Sequence, residues 1–185
     1  MREMPCWFLV TIISTALWSV QRTTAYPQEA QDTTSADTQF SLYNVNTDGD
    51  PPNHELWLLN RDSGEKQKVL AYSRHVTVGW APAGHAFFIT NYDGSDSATC
   101  MVGIVARTIN ITDVSRLLGS RTRGRLMRAK PGDHLYCEIV RWISKSEILL
   151  RVHGYNEHQR KISEQYRYDI RTEVCQRVNG RGADL

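Results

Sequence analysis

The chain has 185 residues, of which 41% are hydrophobic and 23% charged, and a formal net charge of +2. Those proportions exclude wholesale disorder, collagen and coiled coil, and the length suits one domain with a real core. The balance of 22 Lys and Arg against 20 Asp and Glu speaks against a dedicated nucleic-acid binder, which carries a strong basic excess.

Taken in chain order, Arg2 opens a short basic segment and residues 4–20 are almost continuously apolar. This run is short for a bilayer span of roughly 20 residues. It reads as the h-region of a secretory signal peptide, residues 1–25. Thr23-Thr24-Ala25 supplies small residues where a signal peptidase reads, so cleavage is expected after Ala25. The expected mature chain then starts at Tyr26, in a secreted or periplasmic location, with no transmembrane span. Residues 26–38 are polar and without periodicity, and read as a flexible lead-in.

From Phe40 onward nearly every segment alternates with period two between turn residues, which predicts strands. The predicted strands are 40–46, 55–60, 67–72, 75–81, 85–92, 98–107, 109–117, 134–143, 147–155, 162–170 and 173–178, with a short helical alternative at 112–118. They group into units 39–73, 74–118 and 134–179 of a β-repeat domain spanning 39–179, followed by a tail at 180–185. A basic insertion occupies 116–130. Leu42-Tyr43-Asn44-Val45-Asn46-Thr47-Asp48-Gly49 aligns without gaps 45 residues on with Phe87-Phe88-Ile89-Thr90-Asn91-Tyr92-Asp93-Gly94. Val76-Thr77-Val78-Gly79-Trp80 aligns 62 residues on with Glu138-Ile139-Val140-Arg141-Trp142, and in that register Ala86-Phe87-Phe88 meets Ile148-Leu149-Leu150. Such a period is close to one four-stranded propeller blade.

The segment Val78-Gly79-Trp80-Ala81-Pro82-Ala83-Gly84, followed by Ala86-Phe87-Phe88, resembles the turn and apolar strand of WD-like β-propeller repeats. Those repeats occur in the periplasmic Tol-system propeller and in the propeller domains of prolyl oligopeptidase relatives. Asn91-Tyr92-Asp93-Gly94-Ser95 resembles their hairpin, whereas Ala81 and Ala83 depart from the Ser and Asp of their turn. The resemblance implies an all-β fold of antiparallel, four-stranded, propeller-like blades. Closed propellers need at least about four blades. The expectation here is an incomplete propeller or a two-sheet sandwich, with self-association as one route to closure. Exposed sheet edges then need cover, for which the N-terminal segment and the insertion are candidates. Trp57, Trp80 and Trp142 are expected to be buried.

Outside the apolar leader the cysteines are Cys100, Cys137 and Cys175. An oxidising compartment permits one disulfide in any of three pairings, and three small buried thiols are the alternative. No Cys-x-x-Cys spacing supports a redox site or a zinc knuckle.

Asn44-x-Asn46-x-Asp48-Gly49-x5-Glu55 has the oxygen spacing of a calcium loop, with Asn in place of the leading Asp. Strands flank it and Pro51-Pro52 interrupts it, so a plain hairpin is preferred; no cofactor is expected, calcium being the one alternative. His54, His75, His85, His134, His153 and His158 show no metal-helix spacing. No Gly-x-Ser-x-Gly, P-loop or dinucleotide fingerprint is present, so an enzyme is less favoured. Asn110-Ile111-Thr112 is an N-glycosylation sequon.

The insertion carries Arg116, Arg121, Arg123, Arg125, Arg128 and Lys130 with no acid. Its positive potential suits a protein partner or an anionic envelope or extracellular polymer. A solvated loop over a sheet edge is the plainer reading. The leading expectation is therefore a secreted or periplasmic, non-enzymatic protein that binds another macromolecule through loops of a propeller-like domain. The rival is a small extracytoplasmic hydrolase or lyase with acid and base on hairpin loops, at Asp48, Asp93 and His153.

Overall fold

The computed structural model describes residues 28–29, 33–47, 53–121, 134–155, 158 and 161–178. The proposed signal peptide, Asp48, most of the basic insertion and the C-terminal tail lie outside the described residues.

The chain is all-β, built from four-stranded antiparallel units. The first sheet runs β2 (Thr33–Thr34), β3 (Phe40–Thr47), β4 (Asn53–Asn60) and β5 (Lys66–Tyr72). The second runs β6 (His75–Trp80), β7 (Ala86–Tyr92), β8 (Ser97–Val105) and β9 (Ile109–Asp113). The third runs β10 (His134–Trp142), β11 (Glu147–Tyr155), β12 (Lys161–Asp169) and β13 (Val174–Arg177). A parallel bridge of two residue pairs, Ser97 with Leu135 and Ala98 with Tyr136, ties the second unit to the third. By hydrogen bonding these two units form one nine-stranded sheet, with β1 (Gln28–Glu29) at its end on β6.

Two apolar cores separate three layers. Leu42, Leu56 and Leu58 of the first unit meet Val76, Val78, Trp80, Phe87 and Ile89 of the second. Phe88, Cys100 and Val102 on the opposite face of the second unit meet Cys137, Ile139, Trp142, Ile148 and Leu150 of the third. The second sheet is thus buried on both faces, as the apolar run Ala86-Phe87-Phe88-Ile89 requires. Phe87 and Phe88 point to opposite faces, and each lies over a glycine on a neighbouring strand. Phe88 pairs with Gly79, where a Cβ would fall 2.5 Å from the ring; Phe87 pairs with Gly103 and covers it in the same way. Glycine is needed at both positions because the backbone itself is the packing surface.

Trp80 and Trp142 close the first strands of their units, and each indole reaches back one layer. Trp80 Nε1 donates to the Thr33 carbonyl at 3.2 Å, and Trp142 Nε1 to the Gly79 carbonyl at 3.0 Å. Both are buried. Trp57 is not: Leu56 and Leu58 take the inward positions of β4, and the period of two turns Trp57 to the outer face, half-exposed.

The gapless alignments are off by one in their faces. Trp80 pairs across the hairpin with Phe87, whereas Trp142 pairs with Ile148, because the third unit's turn is one residue shorter. Ile148 therefore corresponds to Phe87, and, apart from Trp80 and Trp142, the 62-residue register sets residues of opposite faces against one another. Leu42 and Phe87, matched at 45 residues, likewise enter one core from opposite sides.

Two further segments refine the expectation. The lead-in 26–38 is not wholly irregular: it supplies β1 and β2, which pair with the edges of β6 and β3, the cover for sheet edges expected of the N-terminal segment. Those edges offer unpaired backbone groups, and this satisfies them without any hydrophobic pattern in the added strand. The predicted strand 109–117 ends at Asp113, after which α1 (Val114–Arg121) begins. Asp113 caps it, its carboxylate accepting from the Arg116 amide at 2.9 Å. Val114 and Leu118, one turn apart, drop into the core between the second and third sheets.

Cys100 and Cys137 are disulfide-bonded across that core with Cα atoms 5.6 Å apart, and Cys175 takes no part in the bond. Among the described residues no helix is long and apolar enough to cross a membrane.

Candidate functional site

The outer face of the third sheet gathers a cluster of polar and aromatic side chains. On β10 and β11 the core takes Cys137, Ile139, Leu150 and Val152, so period two sends Tyr136, Glu138, Arg151 and His153 outward. The register pairs Glu138 with Arg151, Tyr136 with His153 and His134 with Tyr155. The latter two pairs are stacked rings, with centroids 5.2 and 4.3 Å apart. Tyr92, at the end of β7, stacks on His75 at 4.1 Å and reaches across to the same cluster.

Glu138 is the hub. Arg151 donates to its Oε2 from Nη2 at 2.5 Å and from Nε at 3.1 Å, and the Tyr92 hydroxyl donates to Oε1 at 3.1 Å. The His153 ring nitrogen lies 3.0 Å from Oε2 without making an aligned hydrogen bond. Partial burial pushes the Glu138 carboxyl upward. The Arg151 hydrogen bonds, the neighbouring charges and the Tyr92 hydroxyl outweigh it and hold the group below its ordinary value. Burial, then the Glu138 charge and hydrogen bond, push Tyr92 up to about 12. Tyr136 is also raised, by burial first and then by Tyr155 and Asp96; its hydroxyl donates to the Ser95 carbonyl at 2.6 Å.

The Glu138 carboxyl and the Tyr92 phenol are thus both moved away from neutrality. The face also offers Arg151 and His153, partly exposed, standing beside Tyr136 and Tyr155. Tyr and Arg are the residue types enriched in protein interfaces, where aromatic bodies exclude water and polar edges fix orientation.

The other candidates are placed as follows. Asn44 accepts from the Tyr72 hydroxyl at 2.8 Å, and Asn46 meets His54 at 2.8 Å. Glu55 pairs in register with Val45, which sets it on the opposite face of the sheet from Asn44 and Asn46. It is held there by Lys68 at 2.5 Å and Trp57 at 2.8 Å. The described part of the calcium set therefore does not converge. Among the described residues no three of His, Cys, Asp and Glu come together as metal ligands. Asp93 accepts from Asn91 and Thr99, and His85 lies 3.6 Å from Asp37. Arg121 ends α1, while Arg123, Arg125, Arg128 and Lys130 lie outside the described residues, as do residues 122–133 generally. Asn110, the sequon asparagine, is exposed on β9.

Sequence reasoning named His153 but not Glu138, Arg151, Tyr136 or Tyr92. The alternation of β10 and β11 carried the signal. A bulge between Ile139 and Arg141 hid the register that brings the partners together. No protein-family model and no curated protein matches the sequence.

Proposed function

We propose that this is a non-enzymatic extracytoplasmic protein that binds another protein through the outer face of its third sheet. The carrying observation is the row of Tyr136, His153, His134 and Tyr155 beside Arg151, an aromatic and cationic surface on a rigid sheet. The apolar leader and the Cys100–Cys137 bond support an oxidising compartment outside the cytoplasm. Kinship with WD-like propeller repeats is supported by three successive four-stranded units and by the tryptophan bonds that reach back one layer. The arginine-rich insertion, which precedes β10 in the sequence, adds positive charge suited to an acidic partner.

The test is capture from the native envelope or medium with the mature chain, compared with Tyr136→Ala and with Tyr155→Ser. The same protein partner should be retained by the parent chain and lost from at least one variant that keeps its thermal midpoint. Unchanged capture by both would move the binding face elsewhere. Turnover of a glycan or ester substrate by the parent chain, lost in Glu138→Gln, would replace this reading with the hydrolase.

A further inference from the structure

Three of the six histidines gather on the proposed binding face, and each lies against a tyrosine ring. His153, Tyr136, His134 and Tyr155 form one ladder of alternating imidazole and phenol rings, with successive centroids 5.2, 6.5 and 4.3 Å apart. His75 lies 4.1 Å from Tyr92, whose hydroxyl bonds to Glu138 beside that ladder. His75 is exposed, and His134 and His153 are half-buried, so solvent protons reach all three. A cation over an aromatic face is attracted by the ring quadrupole. The stacked phenols are therefore compatible with protonated imidazoles, and the ladder holds when it gains charge.

The fixed charges around these rings come from every neighbouring strand. On β10 and β11, Glu138 lies 3.0 Å from His153 and is held by Arg151 as well. On β12, Lys161 stands in register with Tyr155. Arg74, before β6, and Asp96, before β8, act on the Tyr136 phenol in opposite directions. Glu29 of β1 is in register with Thr77, two positions beyond His75. Arg74, Arg151 and Lys161 are thus set against Glu138, Asp96 and Glu29, and the imidazoles decide the sign of the face. Imidazole is the side chain whose ordinary titration falls between pH 5 and 8. His153 shares its proton's charge with Glu138, whereas among the described residues neither His75 nor His134 is ion-paired. Their charge is left for a partner. A face that turns cationic in acid steers and holds carboxylates there, and loses that advantage near neutrality.

We infer that the outer face of the third sheet docks an acidic segment of its partner protein in acid and releases it toward neutral pH, with His75, His134 and His153 as the switch. This rests on the protein-binding reading of that face. The probe is a fluorescent oligo-aspartate peptide, whose carboxylates stay ionised from pH 5.5 to 8.0. Its anisotropy is titrated with the whole mature chain at those two pH values. Binding should be about tenfold tighter at pH 5.5, since uptake of one proton by the complex amounts to tenfold per pH unit. Replacing His75, His134 and His153 together by Gln should erase the difference, while replacing His54, His85 and His158 by Gln should leave it. In the parent chain the ring resonances of His75, His134 and His153 should move when peptide is added at pH 5.5, a readout that holds even if the first triple variant folds poorly. Equal binding at both pH values, tighter binding at pH 8.0, no binding at all, or a pH difference that survives the first triple substitution would overturn the inference. Partner capture separates the two readings: a protein retained equally at both pH values, and lost with Tyr136→Ala, sinks the switch but leaves the protein-binding face.

Discussion

The two faces of the second sheet and the two outer faces of the stack are built on different rules. Inside, the second sheet presents Val76, Val78, Phe87 and Ile89 to one neighbour and Phe88, Cys100 and Val102 to the other. Outside, the same strand periodicity carries Tyr43, Glu55, Trp57 and Lys68 on the first sheet, and Tyr136, Glu138, Arg151 and His153 on the third. Each outer face holds one carboxylate between a cation and an aromatic donor: Glu55 with Lys68 and Trp57, Glu138 with Arg151 and Tyr92. Stacked repeats need terminal units with polar outer faces, since an apolar end invites further stacking. Both outer faces of this three-layered arrangement carry polar groups of that kind.

Breaking the interior should cost most. Trp80→Ala and Trp142→Ala each remove a buried indole that also ties two layers together, and each should lower stability by about 3–5 kcal/mol in urea unfolding. Trp57→Ala on the outer face should cost clearly less. A loss for Trp57 equal to the other two would erase the distinction between inner and outer faces. Removing the bond between the second and third sheets by a Cys100→Ala, Cys137→Ala double substitution should cost about 4 kcal/mol, from the closed-loop entropy of a 37-residue separation. Gly79→Ala should cost about 1–3 kcal/mol by forcing a methyl group into the Phe88 ring, whereas Gly64→Ala in an open turn should act only through its left-handed φ of 74°.

The outer face should instead reveal itself through pH. Glu138 titrates below its unfolded value, so its contribution is present above the unfolded carboxyl range and is lost as pH falls through the folded one. Tyr92 is raised to about 12, so its contribution is complete below pH ~10, the unfolded value, and fades as pH climbs toward 12. Glu138→Gln should flatten the acid limb of a stability–pH curve, and Tyr92→Phe the alkaline limb. Limbs unchanged in both variants would mean that other groups govern them. Smallest of all, millimolar calcium should leave the melting midpoint where it is, because Glu55 lies across the sheet from Asn44 and Asn46. A rise abolished by Asp48→Ala would refute this.

The strands were legible because alternation survives in single sequences: β7 and β11 sit within residues predicted as extended, and β3 overruns its predicted 40–46 by one residue. What single-sequence reading lost was parity. A turn shorter by one residue and a bulge at Ile139/Arg141 are invisible to a gapless comparison, yet each reverses which side of a strand faces the core. The outer cluster depends on that parity, which is why His153 was noticed alone and its partner Glu138 was not. Trp57 was misplaced for a related reason: its alternating apolar neighbours promised a core face, but Leu56 and Leu58 take that face of β4. The strands β1 and β2 had no pattern to read, because an added edge strand is recruited by backbone groups rather than by its side chains. At 109–117 the strand reading gave way after Asp113 to the helical alternative named for 112–118, which Asp113 caps.

The disulfide also has a mechanical meaning. Cys100 and Cys137 are separated by 37 positions, and everything between them, including β9, α1 and the basic insertion, hangs on a closed loop. If the chain is stretched between its ends, that loop cannot pay out: the tension bypasses it through the sulfur bridge from β8 to β10. Fully extended polypeptide spans about 3.4 Å per residue, so the oxidised protein should unravel to a contour about 120 Å shorter than the reduced one. The arginine-rich segment, lying between the two cysteines in sequence, would carry no load while the sheets are pulled apart.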